Sequence, residues 1–404
     1  MNNKKILLMS VFAASVASAQ ELPTTFSVEN SGKNVKITAP KADYCNPLLP
    51  DPFVFNDGSY SAKYADWERH RNEVARMVQD LEIGPRPEFQ SVTSSFDTKD
   101  STLTINVKCA KGTLTFTSKI RIPKGDGPFP VMIGMNMPSG SINPMLLDGC
   151  ILVPFRHDQI IKSSHQAVRD DNAQFYQMFP ELTHTSGNYS GWSWAVSRLI
   201  DAIFQQQQQI RADVKHIGVT GCSYAGKMAM YAGAFDERIA LTIIQESGGG
   251  GVNAWRVSDY YTETTTHNVE RVDNTNYSWF SPALKERFNG HLDQLPFDHH
   301  QIIAMIAPRA VLVLGNPDFE WLCDYSGYIS SYAASYVWRK FGIADRFGYV
   351  VLGGHNHCMA CDEQNEAVAR FVDKFLFDRE VDTNIENSGM FKYIDTRRWM
   401  KNWK

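Results

Sequence analysis

The chain has 404 residues, 43% of them hydrophobic and 21% charged, enough to bury a large core and too apolar for a disordered protein. Lys and Arg number 40 against 44 Asp and Glu, so the basic excess that nucleic acid or an anionic membrane surface selects is missing. Neither partner is expected.

Residues 1–19 have the layout of a secretory leader: Lys4 and Lys5, the apolar run Ile6 to Ala14, then Ala17-Ser18-Ala19 as a cleavage site. Removing them takes two Lys and no acid, leaving 38 basic and 44 acidic residues, a net charge of −6. No other stretch reaches the roughly 18 apolar residues that span a bilayer. The expected location is secreted or periplasmic. Seven cysteines in such a chain permit disulfides, and the odd number leaves at least one unpaired.

Residues 20–60, rich in Pro, Asn, Asp and Ser, read as an irregular wrapping segment, and a helix is expected over 61–82. A catalytic domain then extends to residue 380. Its apolar runs alternate with helical patterns, the mark of a mostly parallel sheet covered by helices on both faces. Candidate strands are Leu114–Ile122, Pro130–Asn136, Ile151–Phe155, His216–Thr220, Ala240–Gln245, Ala310–Gly315 and Phe347–Leu352. Trp192, Val196, Leu199, Ile200 and Ile203 recur at helical spacing, and a second helix is expected over Gly226–Phe235. Residues 252–300, with few periodic apolar positions, read as a long insertion facing a substrate, and 381–404 as a tail docked on the surface.

The sharpest local signal is Thr220-Gly221-Cys222-Ser223-Tyr224-Ala225-Gly226-Lys227, between an expected strand and an expected helix. A nucleophile at such a turn is lifted above the sheet, and small residues let the chain bend. Serine in a turn is more often only a cap, so this motif gains meaning from its company. A hydroxyl needs an imidazole to take its proton. Gly353-Gly354-His355-Asn356-His357-Cys358 directly follows the last apolar strand, which suits a base that comes after the serine in chain order. If Cys222 and Cys358 were bonded, Ser223 and His357 would be near neighbours, and His357 is the chosen base on that ground. The other histidines, including His299 and His300, suit core or surface positions, and no zinc-binding spacing exists. A redox role for Cys358-Met-Ala-Cys361 is not expected, because no thioredoxin-like context surrounds it. Two carboxylates compete to orient the base: Glu246, opening Glu246-Ser247-Gly248-Gly249-Gly250-Gly251, and Asp318 or Glu320 beyond the next strand.

Together these residues resemble the glucuronoyl esterases, carbohydrate esterase family 15, with an α/β-hydrolase fold. The likeness runs over roughly residues 60–380 and is carried by the serine motif, Gln245-Glu246-Ser247-Gly248, Trp255-Arg256-Val257-Ser258-Asp259-Tyr260, Trp279-Phe280, Pro296-Phe297-Asp298-His299-His300, Trp321-Leu322 and His357-Cys358. It implies Ser223 as nucleophile, Glu246 as acid, His357 as base and a Cys222–Cys358 disulfide. Asp318 or Glu320 stays open as a second acid. It further implies that Lys227, Trp321 and Glu270 hold a uronate sugar, with no metal or cofactor. Two positions depart from the family's pattern. Tyr224 stands where the family places an oxyanion-stabilising Arg, leaving its backbone N–H and a weaker phenol donor, with another donor expected from Met137 to Gly140. Asn276 stands where fungal members carry a sugar-binding Glu. The expected function is hydrolysis of the ester between 4-O-methyl-glucuronate of xylan and a lignin alcohol, by a monomer. The rivals are an acetyl or other acyl esterase on plant carbohydrate and a non-catalytic carbohydrate-binding relative.

Overall fold

The computed structural model describes residues 32, 35–37, 43–163 and 168–404, so the expected leader lies outside the described residues. In chain order the elements are α1 (Trp67–Val78), β1 (Ser91–Asp97), β2 (Thr102–Cys109), β3 (Gly112–Lys119), β4 (Phe129–Met135), β5 (Ile151–Phe155), α2 (Gln174–Met178), α3 (Asn188–Ile210), β6 (Ala212–Cys222), α4 (Tyr224–Phe235) and β7 (Ile239–Gln245). They continue with α5 (Trp255–Thr264), α6 (Pro282–Phe288), α7 (His299–Ala304), β8 (Ala310–Gly315), α8 (Asp324–Lys340), β9 (Phe347–Val351), α9 (Asp362–Phe377) and β10 (Glu386–Asn387).

Seven strands form one sheet in the order β10-β9-β8-β7-β6-β4-β5, every neighbouring pair parallel. Strands β5, β8 and β9 are buried at every position, which is why they read as continuous apolar runs without alternation. Alternate residues serve opposite faces. Val311 and Val313 pack with α3, α4 and α8, whereas Leu312 and Leu314 join Val368, Phe371 and Leu376 of α9. The sheet is thus sandwiched, with α9 covering one face.

One expected strand, Leu114–Ile122, is realised differently. Its core, β3, pairs antiparallel with β2, and β1-β2-β3 form a separate sheet. A bridge from Arg121 to Leu152 ties this sheet to the β5 edge. Strands β1 and β2 lie outside the expected set, although β2 buries Leu103, Ile105, Val107 and Cys109 at strict period two.

Residues 252–300, expected as an insertion, hold α5 and α6 and end at the start of α7, and they are fastened to the core. Asp298 caps α7, accepts from the Trp255 N–H at 2.8 Å and pairs with Arg256 at 3.0 Å. Glu82, on the turn that extends α1, accepts from Trp255 Nε1 at 3.0 Å and meets His299 Nε2 at 2.6 Å. The Glu82 carboxylate holds the His299 ring above its usual pKa against the opposing effect of burial. Among the described residues, no helix is long and apolar enough to cross a membrane.

Candidate active site

The carboxyl ends of β6, β7, β8 and β9 carry the candidate residues. Strand β6 ends at Cys222, and Ser223 turns the chain into α4 at φ 60° and ψ −130°, a conformation that L-residues rarely occupy. The turn is held because the Ser223 N–H donates to the Gln245 carbonyl (3.0 Å) and its own carbonyl accepts from the N–H groups of Gly226 and Lys227 (2.9 and 3.1 Å). A side chain at Gly226 would meet the Gln245 carbonyl oxygen at 2.5 Å. The glycine required at this close helix–strand approach therefore sits at 226, while Ala225 fits the position before it.

Cys222 and Cys358 form a disulfide with Cα atoms 5.6 Å apart, which brings the loop after β9 over the serine turn. That loop carries His357, whose side chain is 34% exposed and so reaches both the buried carboxylate and the solvent side. Its Nδ1 lies 2.6 Å from Glu246 Oε2, and the other carboxylate oxygen accepts from the Cys358 N–H at 3.1 Å. Glu246 follows β7 and is buried, with its N–H donating to the Leu314 carbonyl at 2.7 Å. An imidazole oriented in this way carries its proton on Nδ1 and leaves Nε2 to accept one.

The competing acids are engaged elsewhere. Asp318 accepts from the Gly354 N–H at 2.6 Å, and Glu320, exposed, pairs with His267 at 3.0 Å and accepts from the Asn268 N–H. Asp324 is a third carboxyl near the site. It accepts from the Asn316 N–H at 2.9 Å, and burial, with Glu246 nearby, pushes it up to about 7. Cys358 belongs to the disulfide, so Cys358 and Cys361 form no redox pair. His355 contacts Asn316 and the Leu352 carbonyl, and His299 and His300 are core residues.

Lys227 lies one turn along α4 from Ser223. Its ammonium is buried, 2.8 Å from Glu270 Oε2 and 5.2 Å from the centre of the Trp279 ring. The second Glu270 oxygen accepts from the Thr275 hydroxyl at 2.7 Å, and the Glu270 N–H donates to the Trp321 carbonyl at 3.1 Å. Gly249 lets this segment close in, because a Cβ there would meet the Glu270 carbonyl oxygen at 2.6 Å. The three residues expected to hold a sugar are thus contiguous, with the Trp321 side chain 43% exposed. Asn276 makes a local turn instead, accepting from the Ser278 N–H and hydroxyl.

Tyr224 stacks on Trp279, with ring centres 5.8 Å apart and planes at 16°. Its phenol oxygen accepts from Asn136 Nδ2 at 2.6 Å, and Asn136 Oδ1 bonds to His157 Nδ1. Burial pushes the His157 imidazole down to about 4, leaving it neutral, and pushes the Tyr224 phenol up. Asn136 and His157 carry no motif that the sequence reading recognised. Their only local signal is their place at the ends of two apolar strands, Asn136 closing the expected strand Pro130–Asn136 and His157 standing two residues past Ile151–Phe155.

An all-parallel central sheet with a strained serine turn and an imidazole–carboxylate pair at its carboxyl edge defines the class of the α/β-hydrolases. Residues 105–342 match the family profile described as fungal glucuronyl esterase. A 4-O-methyl-glucuronoyl methylesterase of Schizophyllum commune is 32% identical over 408 residues, covering 99% of this chain and 97% of that protein. The one from Podospora anserina is 37% identical over 350 residues, covering 84% and 70%. A serine-to-alanine mutant of the Sporotrichum thermophile glucuronoyl esterase, solved with methyl 4-O-methyl-β-D-glucopyranuronate, superposes with a TM-score of 0.81 at 30% identity, covering 91% of this chain and 98% of that one. The chain belongs to the glucuronoyl esterase family.

Proposed function

We propose that this protein is a secreted serine esterase that hydrolyses the ester between 4-O-methyl-glucuronate and an alcohol, with Ser223, His357 and Glu246 as its catalytic residues. The observation that carries the reading is the neighbourhood of two sets of groups. The Glu246–His357 pair is pinned beside Ser223 by the disulfide, and one helical turn away a buried Lys227–Glu270 pair stands next to exposed Trp321.

In the proposed reaction Ser223 attacks the uronoyl carbonyl as His357 takes its proton, and the charged imidazole is stabilised by Glu246. The oxyanion meets the N-terminus of α4, including the Tyr224 N–H, where helical N–H groups converge on negative charge. The phenol of Tyr224, fixed by Asn136, supplies a further donor. His357 then protonates the departing alcohol, and water repeats the cycle on the acyl-enzyme. Lys227, Glu270 and Trp321 fix the sugar and thereby the angle of attack. The curated relatives' name and the bound uronate ester of the Sporotrichum thermophile structure support the substrate. Export is supported by the leader-like residues 1–19 and by the oxidised cysteine pair.

The test compares hydrolysis of methyl 4-O-methyl-glucuronate with that of an acetylated xylo-oligosaccharide. The uronate ester is the expected substrate, and Ser223→Ala, folded by circular dichroism, is expected to lose roughly 10⁶ in kcat. Retained hydrolysis in that variant rejects the mechanism. Activity on the acetyl ester alone rejects the substrate.

A further inference from the structure

On the α9 face of β7 a polar side chain stands where the period calls for an apolar one. Leu241 and Ile243 pack with α9, and Gln245, next at the same spacing, is 1% exposed. A buried amide is costly unless both of its ends are bonded. Gln245 satisfies its amide on two loops that are far apart in the chain. Its Oε1 accepts from the Ser141 hydroxyl, on the loop after β4, and its Nε2 donates to the Met359 carbonyl, on the loop after β9. Its backbone carbonyl accepts from the Ser223 N–H at 3.0 Å.

The three segments that meet at Gln245 have separate tasks in the proposed reaction. The serine turn carries the nucleophile, and the loop of Met359 carries His357 two residues earlier. The loop of Ser141 contains residues 137–140, where a second oxyanion donor is expected. It lies against the end of β6: Gly140, at φ 57°, stands so close that a Cβ there would meet the Thr220 carbonyl oxygen at 3.0 Å. Asn136 ties the start of this loop to the Tyr224 phenol, and Ser141 ties its end to Gln245. Lys227, in α4, and its partner Glu270 stand on the opposite face of the sheet. The Gln245 amide therefore bears on the geometry at the reacting carbonyl rather than on the grip on the sugar.

Resting on the function proposed above, we infer that Gln245 is a positioning residue whose side-chain amide sets the distance between the oxyanion loop and the base loop across the nucleophile. A displacement of about 1 Å at a reacting group can cost on the order of 10² in rate, and a contact realised only in the transition state is lost from kcat and not from KM. The test measures kcat and KM on methyl 4-O-methyl-glucuronate for the unaltered enzyme, Gln245→Met, Ser141→Ala and the two combined. Methionine is similar in length to glutamine and suits an apolar face, and matching melting temperatures check the fold. Gln245→Met should lose about 10- to 100-fold in kcat with KM within about twofold, and Ser141→Ala about threefold to tenfold. The combined variant should lose no more than Gln245→Met alone, because the hydroxyl acts through the amide. An unchanged kcat in Gln245→Met, a loss carried by KM, or losses that multiply in the combined variant overturns the positioning role and leaves the esterase reading standing. If Gln245→Met does not fold, Ser141→Ala decides, and an unchanged kcat there overturns the role. Failure of the unaltered enzyme to hydrolyse the ester overturns both.

Discussion

Glu246 uses one carboxylate oxygen on the imidazole and the other on the backbone of Cys358, so a single side chain orients both the proposed base and the loop that presents it. Its amide counterpart would offer an N–H where the ring needs an acceptor. Glu246→Gln is therefore expected to lower kcat by up to ~10⁴, whereas Asp318→Asn, which touches only the Gly354 N–H in that loop, should cost far less. Steady-state rates of the two variants on a uronate ester decide it, and a larger loss at 318 would make Asp318 the acid. The choice between these carboxylates was not legible in the sequence. Both follow buried strands, and the pairing of His357 with Glu246 rests on the left-handed backbone of Glu246 (φ 42°) and on the reach of a loop from two strands away. Tyr224 is a similar case. Its departure from the family's arginine stands in the sequence, but the Asn136–His157 relay behind it joins residues from separate strand ends.

At the level of elements, the disulfide links the end of β6 to the loop after β9, although β7 and β8 lie between those strands. At about 4.8 Å per strand, that loop must fold back over the sheet edge by some 14 Å. Glu246, the disulfide, the Gln245 amide and Asp318 hold it there. The bond spans 136 residues, a closure worth up to about 5 kcal/mol by restricting the unfolded chain. Cys222→Ser/Cys358→Ser is expected to melt at a lower temperature and to lose kcat as well, which calorimetry and uronate ester hydrolysis would show. Normal activity at a lowered melting temperature would assign the bond to stability alone. Strands β4 to β9 were legible because burial on both faces leaves continuous apolar runs. In β1 the exposed and half-buried positions alternate without one fully buried residue, so its sequence, Ser-Val-Thr-Ser-Ser-Phe-Asp, carries no core signal. The order of this segment was hidden for another reason, because α5 and α7 are secured by Glu82, Arg256 and Asp298 as well as by buried apolar side chains.

Across the whole molecule, stability should depend on pH through buried groups, some of them bordering the site. Burial pushes His70, His157 and His300 down to about 4, below the unfolded value of about 6.5. Between pH 6 and 4.5 the unfolded chain binds three protons that these folded rings refuse, so they lose stability as pH falls. Asp324, pushed up to about 7, has the opposite sign, holding one proton that its unfolded form gives up. The balance of two protons corresponds to roughly 2–3 kcal/mol of lost stability per pH unit in that window. Denaturant midpoints measured at pH 6 and 4.5 should fall with acid, and a rise would refute the assignment of neutral buried histidines. The covalent tie across the sheet edge bears on where the chain can work at all. Before oxidation the hydroxyl and the imidazole ride on segments joined only by hydrogen bonds from Glu246 and Gln245, so among reducing glutathione the polypeptide is expected to be assembled but less active. Passage into an oxidising compartment would then close the tie and sharpen the site.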